Sequence, residues 1–462
     1  MRVLLVIYDN DSYIHWFPQG AAYIAAVCRK AGHEVAIWNQ DVHHYPDEAL
    51  TEYLDTHEFD VVGIGVIAGY YQYRKLLNLS KAINNSRKRP FFILGGHGPS
   101  PEPEYFLKKT QADAAVIGEG ELTIIELLEY LEDKKPLAEV KGIAFREGDT
   151  VTVTPRRPLI QDLDSIPFPA YDLFPILYYR LFRRPHAKNS EFSLPVLSGR
   201  GCPFKCNFCY RMDEGFRPRS NESIIEEIKL LKKDFGINVI AFSDDLLMCS
   251  VQRTVSLCED FLKHKLNITW TCNGRLNYAK PDVIELMKKA GCTFINYGIE
   301  AMDDAILRTM NKNLTTAQII KGVEATLDAG ISPGLNVIFG NIGENARTLQ
   351  QGVDFLLKYD DAVRVRTIRP VTPYPGSDLY YYAIEKGLLK DAEDFYEHKH
   401  LNSDLMAVNF TELTDEEYYK ALYKANDTLL KNHHETLYKK SSEVMKKLYF
   451  EGATDFRGFK HT

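Results

Sequence analysis

Three cysteines fall within one short stretch, Gly201-Cys202-Pro203-Phe204-Lys205-Cys206-Asn207-Phe208-Cys209-Tyr210. Three thiolates at x3 and x2 spacing can wrap one face of a cubane iron–sulfur cluster and leave the fourth iron without a protein ligand. An open iron can be chelated by a substrate or a cofactor, which makes the cluster a place for chemistry. Zinc is the alternative metal, but it commonly takes four protein ligands in paired knuckles. Cys249, Cys258, Cys272 and Cys292 are scattered singly and offer no second knuckle. Three unliganded thiols are the remaining alternative. Eight cysteines in 462 residues are too sparse for a disulfide scaffold, and three of them in one segment point to a metal or cluster site in a reducing compartment.

A cysteine loop needs elements to hold it. This one directly follows an apolar strand, Leu194-Pro195-Val196-Leu197-Ser198, the first of a βα series over residues 191–385. The later strands read as Val239–Ser243, Ile268–Thr271, Phe294–Ile299, Gly334–Phe339 and Val363–Ile368, separated by helices such as Glu222–Phe235 and Pro281–Ala290. Six such units predict a barrel shorter than the eight-unit form, with its site at the strand C-termini. Residues 1–135 carry another alternation, with strands at Val3–Ile7, Glu34–Trp38, Asp60–Val66, Phe91–Gly96 and Ala114–Gly118. Short apolar runs between amphipathic helices predict a parallel, doubly wound sheet that binds its ligand at the strand ends. Those ends are Tyr8-Asp9-Asn10, Asp41, Gly65-Val66, Gly95-Gly96-His97-Gly98 and Gly118-Glu119-Gly120. Glycines there either let a large flat ligand approach the backbone or simply form tight turns. Residues 136–190 are punctuated by Pro155, Pro158, Pro167, Pro169, Pro175 and Pro185 and read as a linker with one small hairpin around Gly142–Val153. Residues 386–462 read as a helical, tyrosine-rich, polar tail.

Composition sets the outer bounds. With 45% apolar and 26% charged residues the chain is globular, and its length predicts two or three domains. Fifty-six Lys and Arg against 63 Asp and Glu give a net charge of −7 without long like-charged blocks. That balance carries no footprint of nucleic-acid or anionic-membrane binding. No apolar run approaches the roughly 20 residues of a spanning helix. The N-terminal run is too short for a signal peptide and ends at Asp9-Asn10-Asp11. A cytoplasmic protein without a membrane span is expected.

The C-x3-C-x2-C loop after strand one of a six-unit barrel, with aromatic Phe208 before the third cysteine, resembles the radical S-adenosylmethionine (SAM) superfamily. The resemblance implies a partial (β/α)6 TIM-type barrel in which Cys202, Cys206 and Cys209 hold a [4Fe-4S] cluster. Its unique iron would chelate the amino and carboxylate groups of SAM, and an electron from the cluster would cleave SAM to methionine and a 5′-deoxyadenosyl radical. Phe242-Ser243-Asp244-Asp245 resembles the family's acidic strand-two tip, and Trp270-Thr271-Cys272-Asn273-Gly274-Arg275 its third strand. Gly298-Ile299-Glu300-Ala301 resembles the G-I-E-S element beside SAM, with alanine where serine is usual. The stretch from Gly334 to Glu344 resembles the strand that packs on adenine, departing at Asn341-Ile342, where a Pro-Gly pair is common. Tyr374-Pro375-Gly376-Ser377 resembles the turn that closes the barrel. The resemblance implies SAM contacts at Phe208, Glu300, Asn336 and Ile338. Asp244 and Asp245 would contact cosubstrate or substrate, or cap the next helix. Arg275, Arg364 and Arg366 would pair with a substrate carboxylate or phosphate, or serve as interior ion-pair partners.

The domain ahead of the barrel, with Gly95-Gly96-His97-Gly98-Pro99-Ser100, Gly118-Glu119-Gly120-Glu121 and the linker Asp162-Leu163-Asp164-Ser165-Ile166-Pro167-Phe168-Pro169, resembles the cobalamin-binding subclass. This implies a Rossmann-like pocket for cobalamin at Tyr8, Gly65, Val66, Gly95, Gly96, His97, Gly118, Glu119 and Gly120. A histidine-ligated cobalamin domain would carry D-x-H-x-x-G after its first strand. Residues Asp9 to Gln19 lack it, and Asp41-Val42-His43 follows the second strand with Pro46 where the glycine should stand. Cobalamin is therefore expected base-off and without a histidine from that motif, and His97 as a pocket contact. The implied activity is methyl transfer from methylcobalamin to an unactivated carbon, or to phosphorus, of a small molecule after hydrogen abstraction. The implied electron donor is a flavodoxin or ferredoxin. Ring closure or contraction with the same cofactors, a non-catalytic cobalamin sensor or carrier, and a radical enzyme that has lost cobalamin are the alternatives.

Overall fold

The computed structural model describes residues 1–11, 16–181, 190–212 and 214–455. Residues 12–15, within the stretch read for a cobalt-ligand motif, and Pro185 lie outside the described residues. The first sheet begins with β1 (Arg2–Ile7), β2 (Glu34–Asn39), β3 (Val61–Gly65), β4 (Phe91–Gly95) and β5 (Ala114–Val116). They run parallel in the order β2-β1-β3-β4-β5. Their apolar runs are buried on both faces because helices cover both sides of the sheet. Leu4, Val62 and Phe92 face Leu76, Leu79 and Phe106, while Val3, Val61 and Ile93 face Ala25, Leu127 and Leu128. Strand order reverses beside β1, so the helices leave on opposite faces there and open a crevice at the strand C-termini.

Two further strands, β6 (Ile143–Glu147) and β7 (Thr150–Val153), continue this sheet antiparallel from β5. The hairpin read within the linker is thus the sheet's edge. Ile143, Ala144 and Phe145 are buried against β5, which draws the hairpin onto the sheet.

The second sheet follows the chain in order: β8 (Ser193–Val196), then, past the short strands β9 (Gly199–Arg200) and β10 (Arg217–Pro218), β11 (Val239–Phe242), β12 (Thr269–Gly274), β13 (Cys292–Glu300), β14 (Ser332–Phe339) and β15 (Ile368–Pro370). Its six strands are parallel, and their outward faces pack on the helices around Trp270, Ile295, Leu335 and Phe339. The helices begin at polar caps (Ser220, Ser250, Asp303, Thr315 and Asn345), all on the side of the strand C-termini. The sixth strand starts later than its apolar pattern predicts. Arg366 donates to Asp360 (2.9 Å), Asp361 (2.8 Å) and the Pro333 carbonyl (3.0 Å), and Ala362 sits at φ +57°, so 361–367 is loop.

Beyond the barrel the chain returns to the first sheet. Tyr380, Ala383, Leu389, Phe395, Tyr396, Ala407 and Val408 join the buried cluster around Leu4 and Phe106. A capping box at Thr414 and Glu417 then starts the C-terminal helix, Asp415–Glu451, which packs Tyr418, Leu422, Ala425 and Leu429 on the barrel. Among the described residues no helix is long and apolar enough to cross a membrane.

Candidate functional site

The cysteine loop springs from a two-stranded stem in which Arg200 of β9 pairs with Arg217 of β10. Polar anchors fix it against the barrel mouth. The Asn207 and Asn341 carboxamides bond reciprocally at 3.0 and 3.1 Å, and Asn207 N–H donates to the Met310 carbonyl (3.0 Å). Asn311 donates to the Lys205 carbonyl (2.7 Å). The Arg275 guanidinium lies 3.4 Å from the centre of the Phe204 ring and donates to the carbonyls of Lys312 and Asn313. The asparagine that replaces the family's usual proline is therefore a partner of the loop itself.

Cys206 is buried, Cys202 half-buried and Cys209 open on its outer side. The three thiols are electrostatic neighbours. Desolvation, then the neighbouring thiol Cys206, pushes Cys209 up to about 12, so thiolates here require a compensating cation. Three neighbouring thiols on one short loop can each take a different iron of a cubane, so the donor set fits a cluster held by Cys202, Cys206 and Cys209.

Lys312, Glu300 and Arg275 are charged neighbours of Cys206. Glu300 is buried at φ +67° after an irregularity in the β13–β14 register, and its carboxylate meets Lys312 at 2.8 Å. Against the cost of burial, Glu300 and Cys206 hold the Lys312 ammonium above its ordinary range. Gly298 makes room for the pair, since a Cβ there would lie 2.1 Å from Glu300 and 2.8 Å from Lys312. A carboxylate, an ammonium and a guanidinium beside the cysteines match the zwitterionic end of an amino acid such as the methionyl group of SAM. Phe208 and Ile338 are half-buried apolar groups at the loop and on β14. Asn336 is exposed and ends a carboxamide chain: Asn336 donates to Asn296 (3.1 Å) and Asn296 to Asn273 (3.1 Å).

Other residues singled out by sequence sit elsewhere. Asp244 turns inward and accepts from Ser198 N–H (2.7 Å), Ser198 Oγ (3.0 Å) and Gly199 N–H (2.5 Å), bracing the stem of the cysteine loop. Asp245 is exposed. Arg366 is an interior partner of Asp360 and Asp361, and Arg364 stacks on Phe294 at 4.1 Å, whereas Arg275 stays beside the cysteine loop. Lys312, Asn207 and Asn341 carry the site without having been singled out as contacts; only the departure at Asn341 signalled one of them.

The first domain turns its strand ends toward this loop. A Cβ at Gly65, Gly95 or Gly118 would meet nothing within 4 Å, so open space lies above β3, β4 and the end of β5. Gly96, at φ +93°, tolerates no side chain, because a Cβ would sit 2.5 Å from the Val66 carbonyl oxygen. Tyr8 is half-buried beside this space, and Val66 is buried. An open cradle of bare backbone fits a broad, flat corrin. His97 is exposed and meets Tyr210, the residue after Cys209, edge-on at 6.1 Å. Asp41 accepts from the Asn10 N–H (3.1 Å) and side chain (3.3 Å), which ties the ends of β1 and β2 together. Gly118 and Gly120 border the cradle, but the Glu119 carboxylate between them faces Arg200, Arg217 and the Ile160 N–H. Burial works to raise this carboxyl, and those donors outweigh it and hold it below the usual range.

Comparison with known proteins agrees with both halves. Residues 196–356 match the Radical SAM superfamily and residues 7–128 the B12 binding domain. The chain is similar to an uncharacterised methyltransferase of Pyrococcus horikoshii, 31% identical over 400 residues and 84% of each chain. It is also similar to the anaerobic magnesium-protoporphyrin IX monomethyl ester cyclase of Rubrivivax gelatinosus, 26% identical over 82% of this chain and 69% of that one. The fold matches the radical SAM methyltransferase TsrM of Kitasatospora setae, solved with cobalamin and a [4Fe-4S] cluster bound, at a TM-score of 0.73 and 16% identity over 92% of this chain and 88% of that one. The chain belongs to the cobalamin-dependent radical SAM enzyme family. A [4Fe-4S] cluster, SAM and cobalamin are the cofactors that membership implies.

Proposed function

We propose that this enzyme transfers a methyl group to an unactivated carbon, or to phosphorus, of a small-molecule intermediate. The observation that carries the reading is the meeting of the two halves: the residue after Cys209 touches His97 at the end of β4. When bound, the cluster and SAM supply a 5′-deoxyadenosyl radical that removes a substrate hydrogen, and cobalamin supplies the methyl group. The chain's own residues do the positioning. Cys202, Cys206 and Cys209 hold the cluster and leave one face open. Glu300, Lys312 and Arg275 orient the amino-acid end of SAM, with Phe208, Asn336 and Ile338 along the rest of it. The glycine cradle of the first domain presents cobalamin to the same mouth, base-off and with no histidine of its own in the first-strand motif. Alignment of three reacting groups is where a protein lowers such a barrier most. A flavodoxin or ferredoxin would deliver the electron.

The similarity to a cyclase favours one second reading, ring formation with the same cofactors and no methyl transfer. Anaerobic purification with cobalamin supplied should give about four irons, matching sulfide and one cobalt per chain. Methyl-labelled SAM should then label the bound cobalamin, and that label should leave on turnover with substrate extracts. Cobalamin that keeps its label while 5′-deoxyadenosine accumulates with product would favour the cyclase reading. A cluster without cobalamin would overturn both.

A further inference from the structure

Both strands of the stem that carries the cysteine loop are gripped by one carboxylate of the first domain. Arg200 donates to Glu119 (2.8 Å) and Glu121 (2.5 Å), and Arg217 donates to both oxygens of Glu119 (3.0 and 2.9 Å). The Ile160 N–H donates to Glu119 Oε2 (2.8 Å), and Arg217 also donates to the Ile160 carbonyl (2.5 Å). Each Glu119 oxygen accepts two bonds, which exhausts the roughly four lone-pair positions of a carboxylate. The four side chains are 7–15% exposed, and two carboxylates balance two guanidiniums. Arg200 also lies over the Tyr23 ring at 5.5 Å. A buried, balanced and saturated ion set has little freedom to slide, since any shift would leave a charge uncompensated.

Glu119 stands between Gly118, at φ +82°, and Gly120, whose Cβ would meet Ile24 at 2.9 Å. Its backbone therefore belongs to the strand-end turn that borders the open cradle, while its side chain belongs to the stem of the cysteine loop. We propose that Glu119 is a positioning residue that couples the cobalamin cradle to the cluster loop, so that ordering either one orders the other. The proposal rests on the cobalamin reading of that cradle. The Glu119 carboxylate is taken up by protein donors and acts through Arg200 and Arg217, which flank the loop at its two ends. Coupling of this kind is reciprocal, so an assembled cluster should tighten cobalamin binding by the same factor as cobalamin stabilises the cluster.

The test titrates hydroxocobalamin into the full-length protein, with the cluster reconstituted and with iron removed. Native protein should bind at least about fivefold tighter with the cluster in place. Glu119→Gln alone strands Arg217 without its carboxylate and endangers the fold, so the charge-balanced Glu119→Gln/Arg217→Gln variant is the main comparison. It should bind hydroxocobalamin equally in the two states. Arg217→Lys, which keeps the charge but not the guanidinium, should recover part of the ratio, a result that a merely structural role does not give. A native ratio of one, or a double variant that keeps the native ratio, overturns the coupling and leaves the cobalamin reading standing. Native protein that holds four irons yet binds no hydroxocobalamin overturns both.

Discussion

Cys206 and Asp244 are both buried, and burial acts on each through its charged form. For Cys206 the proposed cluster supplies the iron that would meet the cost of a buried thiolate. Cys206→Ser should therefore drop the iron content of reconstituted protein by more than half and abolish SAM cleavage, as read by iron assay and 5′-deoxyadenosine formation. For Asp244 burial pushes the carboxyl up to about 7, partly opposed by the donors from Ser198 and Gly199. Burial likewise pushes Glu344 up to about 8 against the amides of Asn341 and Gly340. Between roughly pH 4 and 8 the folded protein then binds more protons than the unfolded chain, so stability falls as pH rises through that window. The melting temperature should be lower at pH 8 than at pH 5, and Asp244→Asn should shrink the difference. The cysteines were legible because their chemistry lies in one contiguous motif. Asn207 was not, and Asn341 showed only as a departure from a motif, because their pairing has no meaning until folding brings 134 residues of separation to 3 Å.

At the scale of elements, the turn at Gly376 ties the cysteine loop to the first domain. At φ +91° a Cβ there would stand 2.4 Å from the Tyr210 ring and 2.9 Å from Pro101. Gly376→Ala should cost about 1–3 kcal/mol through this overpacking and strain, visible as a lower denaturation midpoint. The capping box at Thr414 is a gentler case: Thr414→Ala should cost about 1 kcal/mol, with SAM cleavage unchanged. Strand alternation was readable because parallel strands buried on both faces write continuous apolar runs, as in β1 and β4. The sixth barrel strand was misplaced because Val363, Val365 and Ile368 mimic such a run while Arg366 is held by two aspartates and a carbonyl. The Gly142–Val153 hairpin was legible as a hairpin, but not as part of the first sheet, because pairing partners are not written in a strand's own residues.

At the scale of the whole molecule, two sheets share a seam lined by the cysteine loop, the glycine cradle and four buried charges. Ligands that bind only the folded state raise its stability by mass action, so cobalamin at about a hundred times its dissociation constant should add about 2.7 kcal/mol. The melting temperature of cluster-loaded protein should rise on adding hydroxocobalamin, and no rise would count against an occupied cradle. Residues 386–462 read from sequence as a helical, tyrosine-rich, polar tail with no assigned packing partner, yet residues 378–410 carry apolar side chains. The structure spends them on the first domain, where Phe395 and Tyr396 close over Leu76 and Phe106. That return has a consequence on the ribosome. The first sheet is finished early in synthesis, at Val153, yet one flank of its core stays bare until roughly 250 more residues have emerged. At about 5–20 residues per second, that is on the order of 12–50 seconds of exposed apolar surface. A nascent chain of this protein should therefore occupy chaperones for much of its translation, and cells short of them should accumulate aggregates rather than a free N-terminal domain.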